Sequence, residues 1–253
     1  MQADPCSDRR VLAVSGPDRV HFLQGLVTND VRRLSEGPVY AALLTAQGKY
    51  LSDFLLVPDG ERVLVDVAEA QADDLMRRLT LYKLRAKVTV EATALKVWRG
   101  LGPQPEGAVA DPRDAGLGWR LYAETLDAAP AGVDWDALRV RLGVPEAGRE
   151  LIPDDSYILE MGFERLHGVD FRKGCYVGQE VTARMHHKTE LRKGLRRVRL
   201  SGEAAPGTEI LSGDKPAVWL GTVAGNAALA YLRFDRIGPD LRAGTAGIEI
   251  ADT

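Results

Sequence analysis

The spacing of apolar residues predicts a mixed N-terminal region. In residues 1–92, short apolar runs bounded by turn residues predict strands, and apolar residues three or four positions apart predict helices. One helix is expected to begin within 15–18 and to include Phe22 to Val27, and a second is expected at 68–79. The expected strands are 10–14, 39–44, 50–57, 62–67 and 87–91. This alternation favours an α+β domain.

Residues 93–150 are predicted to form a reduced middle segment. Pro, Gly and Asp are concentrated in two loops, at 102–107 and 111–116. Short strands are expected beside them, at 95–98 and 118–122. A helix is expected at 134–142, with Asp134 as its N-cap and Gly143 after its last residue.

The pattern changes again after Gly194, to short strands separated by Gly and Pro. The expected strands are 195–200, 209–211, 218–224, 227–234 and 247–250. Short strands with regular turns predict a small β-barrel or sandwich. The chain is therefore divided into an N-terminal α+β domain (1–92), a reduced middle α+β segment (93–150), a segment containing Cys175 that packs on the N-terminal domain (151–193) and a C-terminal β-barrel (194–253).

Charge gives no reason to expect nucleic acid as a partner. The formal net charge is -3 and the pI is near 5.9, whereas nucleic-acid-binding domains are typically basic. The basic run 192–199 has apolar residues between its charges and no aromatic platform beside it. It is interpreted as a solvated strand edge or as a docking patch for an acidic protein.

The chain is expected to be cytoplasmic and not associated with a membrane. Its longest apolar stretch, Val39–Ala46, is far short of the roughly 20 residues that span a bilayer. The first ten residues contain no apolar segment typical of a signal peptide, and two Asp among the first eight argue against a mitochondrial transit sequence. The two cysteines, Cys6 and Cys175, form no disulfide framework and cannot supply the four thiolates of an iron–sulfur cluster.

Cys175 stands in a setting that suits reactive chemistry. Gly174 and Gly178 surround it, and glycine permits positive φ or a close approach of the backbone. A helix is predicted from about 178 to 185, so the thiol lies near a helix N-terminus beside Arg172 and Lys173, which is expected to lower its pKa. These residues alone support an inert buried cysteine equally well.

Other polar residues near Cys175 give weaker predictions. Glu180 and Arg184 are four positions apart on the predicted helix and are expected to pair. His186 and His187 are adjacent, so they diverge on a helix and make a poor chelating pair. No metal site is predicted.

Residues 173–180, Lys-Gly-Cys-Tyr-Val-Gly-Gln-Glu, match the K-G-C-Y-x-G-Q-E signature of the YgfZ/GcvT-like folate-binding proteins. Three further segments resemble elements of that family, in the same order along the chain. They are F-L-Q-G-L-V-T-N-D at 22–30, L-T-A-Q-G-K at 44–49 with Asp53, and Y-K-L-R-A-K-V at 82–88, which is similar to a strand of the family.

The resemblance implies a fold and a function. The expected fold is the α+β, GcvT/YgfZ-like multi-part fold around a central cavity, shared with the aminomethyltransferase of the glycine cleavage system, with a small C-terminal β-barrel. The implied function is the maturation or repair of iron–sulfur proteins, especially those with [4Fe–4S] clusters. The implied cofactor is tetrahydrofolate, and the implied partners are A-type cluster carriers and iron–sulfur client enzymes. Whether the chain is an enzyme is left open.

The resemblance also assigns roles to residues. The functional thiol is Cys175, and an aromatic face at Trp135, ahead of Gly143-Val144-Pro145, is expected to stack on a pterin ring. Arg85 suits an anionic ligand tail. The other positions assigned to the cofactor site are Asn29, Asp30, Gln47, Lys49, Lys173, Tyr176, Gln179, Glu180 and Arg184. The chain departs from some bacterial family members, which place a second aromatic residue before the first strand, where this chain has Arg9 or Arg10.

Three hypotheses for function follow. The first is an iron–sulfur maintenance factor that binds tetrahydrofolate and uses Cys175 as a thiolate. The second is a folate-dependent one-carbon transferase of the aminomethyltransferase kind, whose chemistry would not need Cys175. The third is a non-enzymatic scaffold that docks an A-type cluster carrier and lends Cys175 as a ligand.

Overall fold

The computed structural model describes residues 1–188 and 190–251, which form two compact units. The first unit comprises Met1–Gly132 and Glu164–Val181, and the second comprises Val133–Phe163 and the described part of Thr182–Thr253. The four-part division stays a prediction. Its ranges 151–193 and 194–253 include residues 189, 252 and 253, which lie outside the described residues.

The first unit contains two antiparallel sheets. Its elements are β1 (Asp4–Pro5), β2 (Arg9–Ser15), α1 (Arg19–Gln24), a 3-10 helix (Val31–Ser35), β3 (Val39–Leu44), β4 (Tyr50–Asp59), β5 (Arg62–Ala68), α2 (Glu69–Tyr82), β6 (Thr89–Ala92), β7 (Lys96–Gly100), β8 (Val109–Ala110), a 3-10 turn (Ala115–Leu117) and β9 (Trp119–Ala123). The larger sheet has the strand order β3-β4-β5-β2-β6, and the smaller has the order β1-β7-β9-β8. Helix α2 contacts β2, β5 and β6, and its buried residues Ala72, Leu75 and Leu79 enter the core of the larger sheet.

Buried ion pairs connect the two sheets of the first unit. Asp66 on β5 is fully buried and accepts hydrogen bonds from Arg9 Nε (2.7 Å), Arg120 Nη1 (2.7 Å) and the Tyr122 hydroxyl (3.0 Å). Arg120 Nε also donates to Asp111 (3.1 Å). Burial by itself raises the pKa of Asp66, but the charges of Arg9 and Arg120 outweigh it, so the pKa lies below its ordinary value. The sheets are thus joined by charged groups that compensate one another.

The predicted elements of the first unit are largely confirmed, with two corrections. Helix α1 ends at Gln24, because Gly25 caps it, so Leu26 and Val27 lie beyond its last turn. Residues 82–88 do not form the expected strand: Tyr82 ends α2, a turn follows, and β6 begins only at Thr89. The apolar face of α2 continues to Leu79, so the helix extends to Tyr82, and the rest of this segment forms the turn that connects α2 to β6.

The second unit combines a helix with a closed barrel. Its elements are α3 (Trp135–Leu142), the C-terminal part of α4 (Gln179–Lys188), β10 (Lys193–Leu200), β11 (Glu209–Ser212), β12 (Lys215–Ala224), β13 (Ala227–Arg233), a 3-10 helix (Phe234–Arg236), β14 (Leu241–Ala243) and β15 (Ala246–Ile250). Within the described residues, six strands close in the order β10-β13-β12-β11-β14-β15. The predicted barrel is confirmed, and the three-residue strand β14 is the one that its sequence pattern did not predict.

Helix α3 packs on β12 and β13 through a buried polar network. Asp134 caps α3 as predicted, accepting a hydrogen bond from the Ala137 N–H at 2.9 Å, and Gly143 follows the helix in the left-handed conformation. The buried Glu150 carboxylate accepts hydrogen bonds from Arg139 Nη1 (3.1 Å) and from the Thr222 N–H (2.7 Å). These bonds fix α3 to the outside of the barrel.

Candidate functional site: an anchored cysteine loop

Cys175 lies in a loop before α4, and its side chain is exposed. The two glycines around it have positive φ, +98° for Gly174 and +83° for Gly178, which favours glycine strongly over other residues. The next residue, Tyr176, is buried, and its N–H donates to Gln179 Oε1 at 3.1 Å, at the first residue of α4. The loop therefore turns sharply on both sides of a thiol that points to solvent.

Gly178 packs directly on the turn at Gln47-Gly48-Lys49. A Cβ added to Gly178 would lie 2.5 Å from the Thr45 carbonyl oxygen, and one added to Gly48 would lie 2.9 Å from Val181 Cβ. No real Cβ has neighbours at these distances, so both glycines are required for the contact. The L-T-A-Q-G-K segment thus supports the start of α4, while the Gln47 side chain is exposed and that of Lys49 is half-buried.

Lys173 anchors the other side of the loop. Its side chain is buried, and Nζ donates to the carbonyl oxygens of Gln24 (2.5 Å) and Val27 (2.6 Å). The Gln24 carbonyl belongs to the C-terminal end of α1, where a positive charge interacts favourably with the helix dipole. In return, Gln24 Nε2 donates to the Lys173 carbonyl at 3.1 Å. Burial lowers the pKa of Lys173 to about 8.

The T-N-D residues form a second set of anchors. Thr28 Oγ1 donates to the Gly168 carbonyl at 2.7 Å and accepts from the Ala42 N–H at 2.9 Å. Asn29 Nδ2 donates to the carbonyls of Tyr40 (2.7 Å) and His167 (2.6 Å). These bonds tie strand β3 to the residues that precede the cysteine loop.

Asn29 and Asp30 are occupied by bonds within the chain. Asn29 Oδ1 accepts from the Asp30 N–H at 2.8 Å, which completes the bonds of its amide. Asp30 caps the 3-10 helix by accepting from the Arg32 N–H and also pairs with the Arg32 side chain. That hydrogen bond lowers the pKa of Asp30 to about 2. Both side chains shape the backbone around the loop.

The remaining candidates lie in different places. Arg85 is exposed in the turn after α2 rather than on a strand. Trp135 belongs to the second unit, where it is the half-buried first residue of α3. Glu180 and Arg184 are both exposed on α4. Gln24 and Thr28 were missed as anchors, although their positions inside the F-L-Q-G-L-V-T-N-D segment could have indicated them.

The second cysteine is unsuited to chemistry. Cys6 is 4% exposed, and burial raises the pKa of its thiol. Among the residues that the structure describes, no cluster of three or more His, Cys, Asp or Glu side chains is arranged to hold a metal ion. In the same residues, no helix is both long and apolar enough to cross a bilayer.

Comparison with known proteins places the chain in a family. Residues 192–252 match the family model of the CAF17 C-terminal β-barrel domain. The mitochondrial iron–sulfur cluster assembly factor IBA57 of Homo sapiens is 35% identical, in an alignment that covers 96% of this chain and 81% of that protein. The chain belongs to the IBA57 family. The IBA57 homologue of Pyricularia oryzae is also 35% identical, with 73% of this chain and 54% of that protein covered.

The fold predicted from the resemblance is confirmed. The crystal structure of the glycine cleavage system aminomethyltransferase T from Bartonella henselae aligns with a TM-score of 0.79 over 100% of this chain and 85% of that one. At 14% identity this likeness concerns the fold alone. The family shown is IBA57, and assignment to YgfZ through the cysteine signature stays a prediction.

The predicted cytoplasmic location is wrong. The IBA57 relatives from Homo sapiens, Pyricularia oryzae and Mus musculus are all named as mitochondrial proteins. Composition does not distinguish the cytoplasm from other compartments, because an acidic globular chain with unpaired cysteines suits any reducing aqueous compartment.

Proposed function

We propose that this IBA57-family chain is an accessory factor in the assembly or repair of iron–sulfur proteins, including those with [4Fe–4S] clusters, and that Cys175 is its functional thiol. The similarity to human IBA57, which is named as an iron–sulfur cluster assembly factor, supports the role. The exposure of Cys175 on a loop held by Lys173 and Gly178 supports the choice of residue.

The geometry suits a thiolate that is presented to a partner. A fixed loop holds the sulfur in place without ordering costs when a partner arrives. Iron–sulfur clusters are usually held by four thiolates, and the buried Cys6 leaves this chain one accessible thiol. The cluster is therefore cargo whose other ligands come from a second protein, and an A-type cluster carrier fits that requirement.

The proposed function does not require tetrahydrofolate. Asn29, Asp30 and Lys173, three of its expected ligands, have their polar groups occupied within the chain, so they do not fit that role. Folate binding through Trp135 stays a prediction, tested by quenching of tryptophan fluorescence in the native chain and in Trp135→Ala. The one-carbon transferase alternative has only the shared fold in its favour, and a shared fold does not determine an activity.

A reconstitution experiment tests the role of Cys175. The chain is mixed under anaerobic, reducing conditions with an apo A-type carrier, ferrous iron and sulfide, and the complex is separated by size exclusion. We expect visible cluster absorption to elute with a complex of both proteins for the native chain. Cys175→Ser should reduce that co-eluting absorption at least about tenfold, as expected when a metal ligand is lost.

Cys6→Ser is the matched control, because it removes the buried thiol and leaves Cys175 in place. It should retain the co-eluting absorption. Circular dichroism of both variants establishes that they are folded. Equal absorption in the complexes of native chain and Cys175→Ser would refute the assignment of Cys175.

A further inference from the structure

Basic residues gather at one end of the barrel, where β10 begins and β13 ends. Lys193 is in register with Arg233, and the Phe234 N–H donates to the Arg192 carbonyl at 2.8 Å. The 3-10 helix Phe234–Arg236 follows at once. We refer to this group as the cationic face; its members are Arg192, Lys193, Arg196, Arg233 and Arg236.

The charges of the cationic face are only partly compensated. Asp235 pairs with Arg233 (3.0 Å) and Arg236 (3.7 Å). The neighbouring Glu160 accepts a hydrogen bond from the Tyr231 hydroxyl. Among the described residues, no carboxylate lies within ion-pair distance of the three other members, which are Arg192, Lys193 and Arg196.

Arg196 is the member of the cationic face whose charge is least favourable to folding. Its guanidinium lies 4.2 Å from the centre of the Phe234 ring, and Nη1 donates to the Leu195 carbonyl at 3.0 Å. A Cβ on Gly194 would lie 2.8 Å from Phe234 Cζ, so the glycine makes room for this stack. The side chain is half-buried, and burial lowers its pKa, with no carboxylate in the described part of the chain to offset the effect. A desolvated cation without a counter-charge opposes folding, unless something outside the chain supplies the charge.

The aromatic rings here do not form a platform for nucleic-acid bases. Arg196 covers Phe234, Lys193 Nζ lies 5.9 Å from the centre of the Tyr231 ring, and Trp219 packs against Tyr231 at 5.6 Å. Bases need open ring faces, and the chain as a whole carries a net charge of -3. A closed barrel also has no free edge to which a partner strand could add.

We propose that the cationic face is a docking surface for an acidic protein, with a partner carboxylate pairing with Arg196. The exposed side chain of Ile237, directly after the 3-10 helix, supplies an apolar contact beside the charges. Arginine stacked on an aromatic ring is held in place before binding, and fork-shaped guanidinium groups bind carboxylates in pairs of hydrogen bonds. This docking role goes beyond the proposed function and does not depend on Cys175.

Binding of an acidic peptide tests the proposal on the full chain. The probe is a fluorescein-labelled peptide of eight glutamates, followed by fluorescence anisotropy at low salt. We expect the native chain to bind it and Arg196→Gln to bind at least about tenfold more weakly. The matched control is Arg199→Gln, which removes the same charge from the same strand, where Arg199 is in register with Glu249; it should change the affinity less than about twofold.

In the binding assay, three results would overturn the proposal. Absence of binding to the native chain would do so, and so would equal weakening by Arg196→Gln and Arg199→Gln, which would indicate attraction to overall charge. An octathymidylate that binds as tightly as the peptide and loses affinity in Arg196→Gln would make the surface a nucleic-acid site instead.

A second variant separates docking from structural support. Arg196→Met keeps a flexible side chain over Phe234 but removes the charge. If the cation is retained for binding, this variant should lose peptide affinity while its Tm is unchanged or higher. A fall in Tm of several degrees would mean that Arg196 stabilises the barrel, and the docking role would be withdrawn.

Discussion

At the scale of single residues, Lys173 explains why a lysine precedes the cysteine loop. Its ammonium group satisfies two backbone carbonyls at the end of α1, and it also lies 5.0 Å from the centre of the Tyr176 ring. The resemblance places Lys173 in a ligand site, whereas the contacts make it an anchor that positions Cys175. A charged residue next to a reactive one can therefore position the reactive side chain rather than bind the substrate.

The lowered pKa of Lys173 predicts a pH dependence of stability. The folded chain has a pKa of about 8 at this group against an ordinary value of 10.5, so between these pH values the unfolded chain binds more protons. The free energy of unfolding should therefore rise with pH across that window through this group. Lys173→Met should remove this rise and cost about 1–3 kcal/mol at neutral pH, because two buried carbonyls lose their donor.

Urea titrations at pH 7.5, 8.5 and 9.5 provide the measurement. The exposed Lys87 gives the control, since Lys87→Met changes the net charge equally without touching the anchor. If the free energy of unfolding depends on pH in the same way in Lys173→Met and Lys87→Met, Lys173 is not the source of the pH dependence.

At the scale of elements, the motif segments act as supports for one another. The turn at residues 45–49, the C-terminal end of α1 and the residues before β3 all contact the stretch from His167 to Val181. Segments that are far apart in the chain thus all contact the start of α4 and the loop before it, and hold both in place. The loop keeps its shape because Gly178 leaves no room for a side chain against the Thr45 carbonyl and Gly174 adopts a positive φ.

Two glycine variants separate backbone strain from steric clash. Gly174→Ala places a Cβ in open space at positive φ, so it should cost about 1–3 kcal/mol of stability from strain alone. Gly178→Ala adds a clash with the Thr45 carbonyl and should therefore cost more than Gly174→Ala. The comparison of their Tm values is the measurement, and equal values would mean that the turn at residues 45–49 shifts freely.

At the scale of the whole molecule, each unit has its own buried ion network. In the first unit Asp66 joins the two sheets through Arg120, which also pairs with Asp111, and in the second unit Glu150 joins α3 to the barrel. A buried carboxylate of this kind contributes little net stability as a pair, yet its removal leaves buried cations unpaired. The networks therefore specify which elements pack together.

Asp66→Ala should destabilise the first unit by about 3–5 kcal/mol, because Arg9 loses its counter-charge and Arg120 keeps only Asp111. Asp66 has a lowered pKa in the folded chain, so its contribution is present above the ordinary pKa near 4 and is lost as pH falls towards the folded value. Asp66→Asn should flatten that loss of stability between pH 5 and pH 3. Chemical denaturation over this range measures it.

The exposed pair of Asp235 with Arg233 supplies the control. Asp235→Asn should change the free energy of unfolding very little, since exposed ion pairs contribute little. If Asp66→Ala loses no more stability than Asp235→Asn, Asp66 does not compensate buried cations as the ion network requires.

Local patterns predicted the elements better than they predicted the site. Short apolar runs bounded by turn residues specify β3, β4 and the barrel strands, and capping by Asp134 and Gly143 specifies the ends of α3, because these signals act between neighbours in sequence. The partners of Lys173 and Asn29 lie on distant segments, so their anchoring bonds cannot be derived from spacing. The resemblance singled out residues around Cys175 without revealing which of them support the loop.

The contrast between the two thiols offers a way to observe partial unfolding. A maleimide reagent should add once to the folded chain, at the exposed Cys175, and a second time only when the packing around Cys6 opens. Intact mass spectrometry would then count single and double adducts over time. Under a fast reagent, the rate of the second addition equals the rate at which the first unit opens, and it is measured without any label placed by mutation.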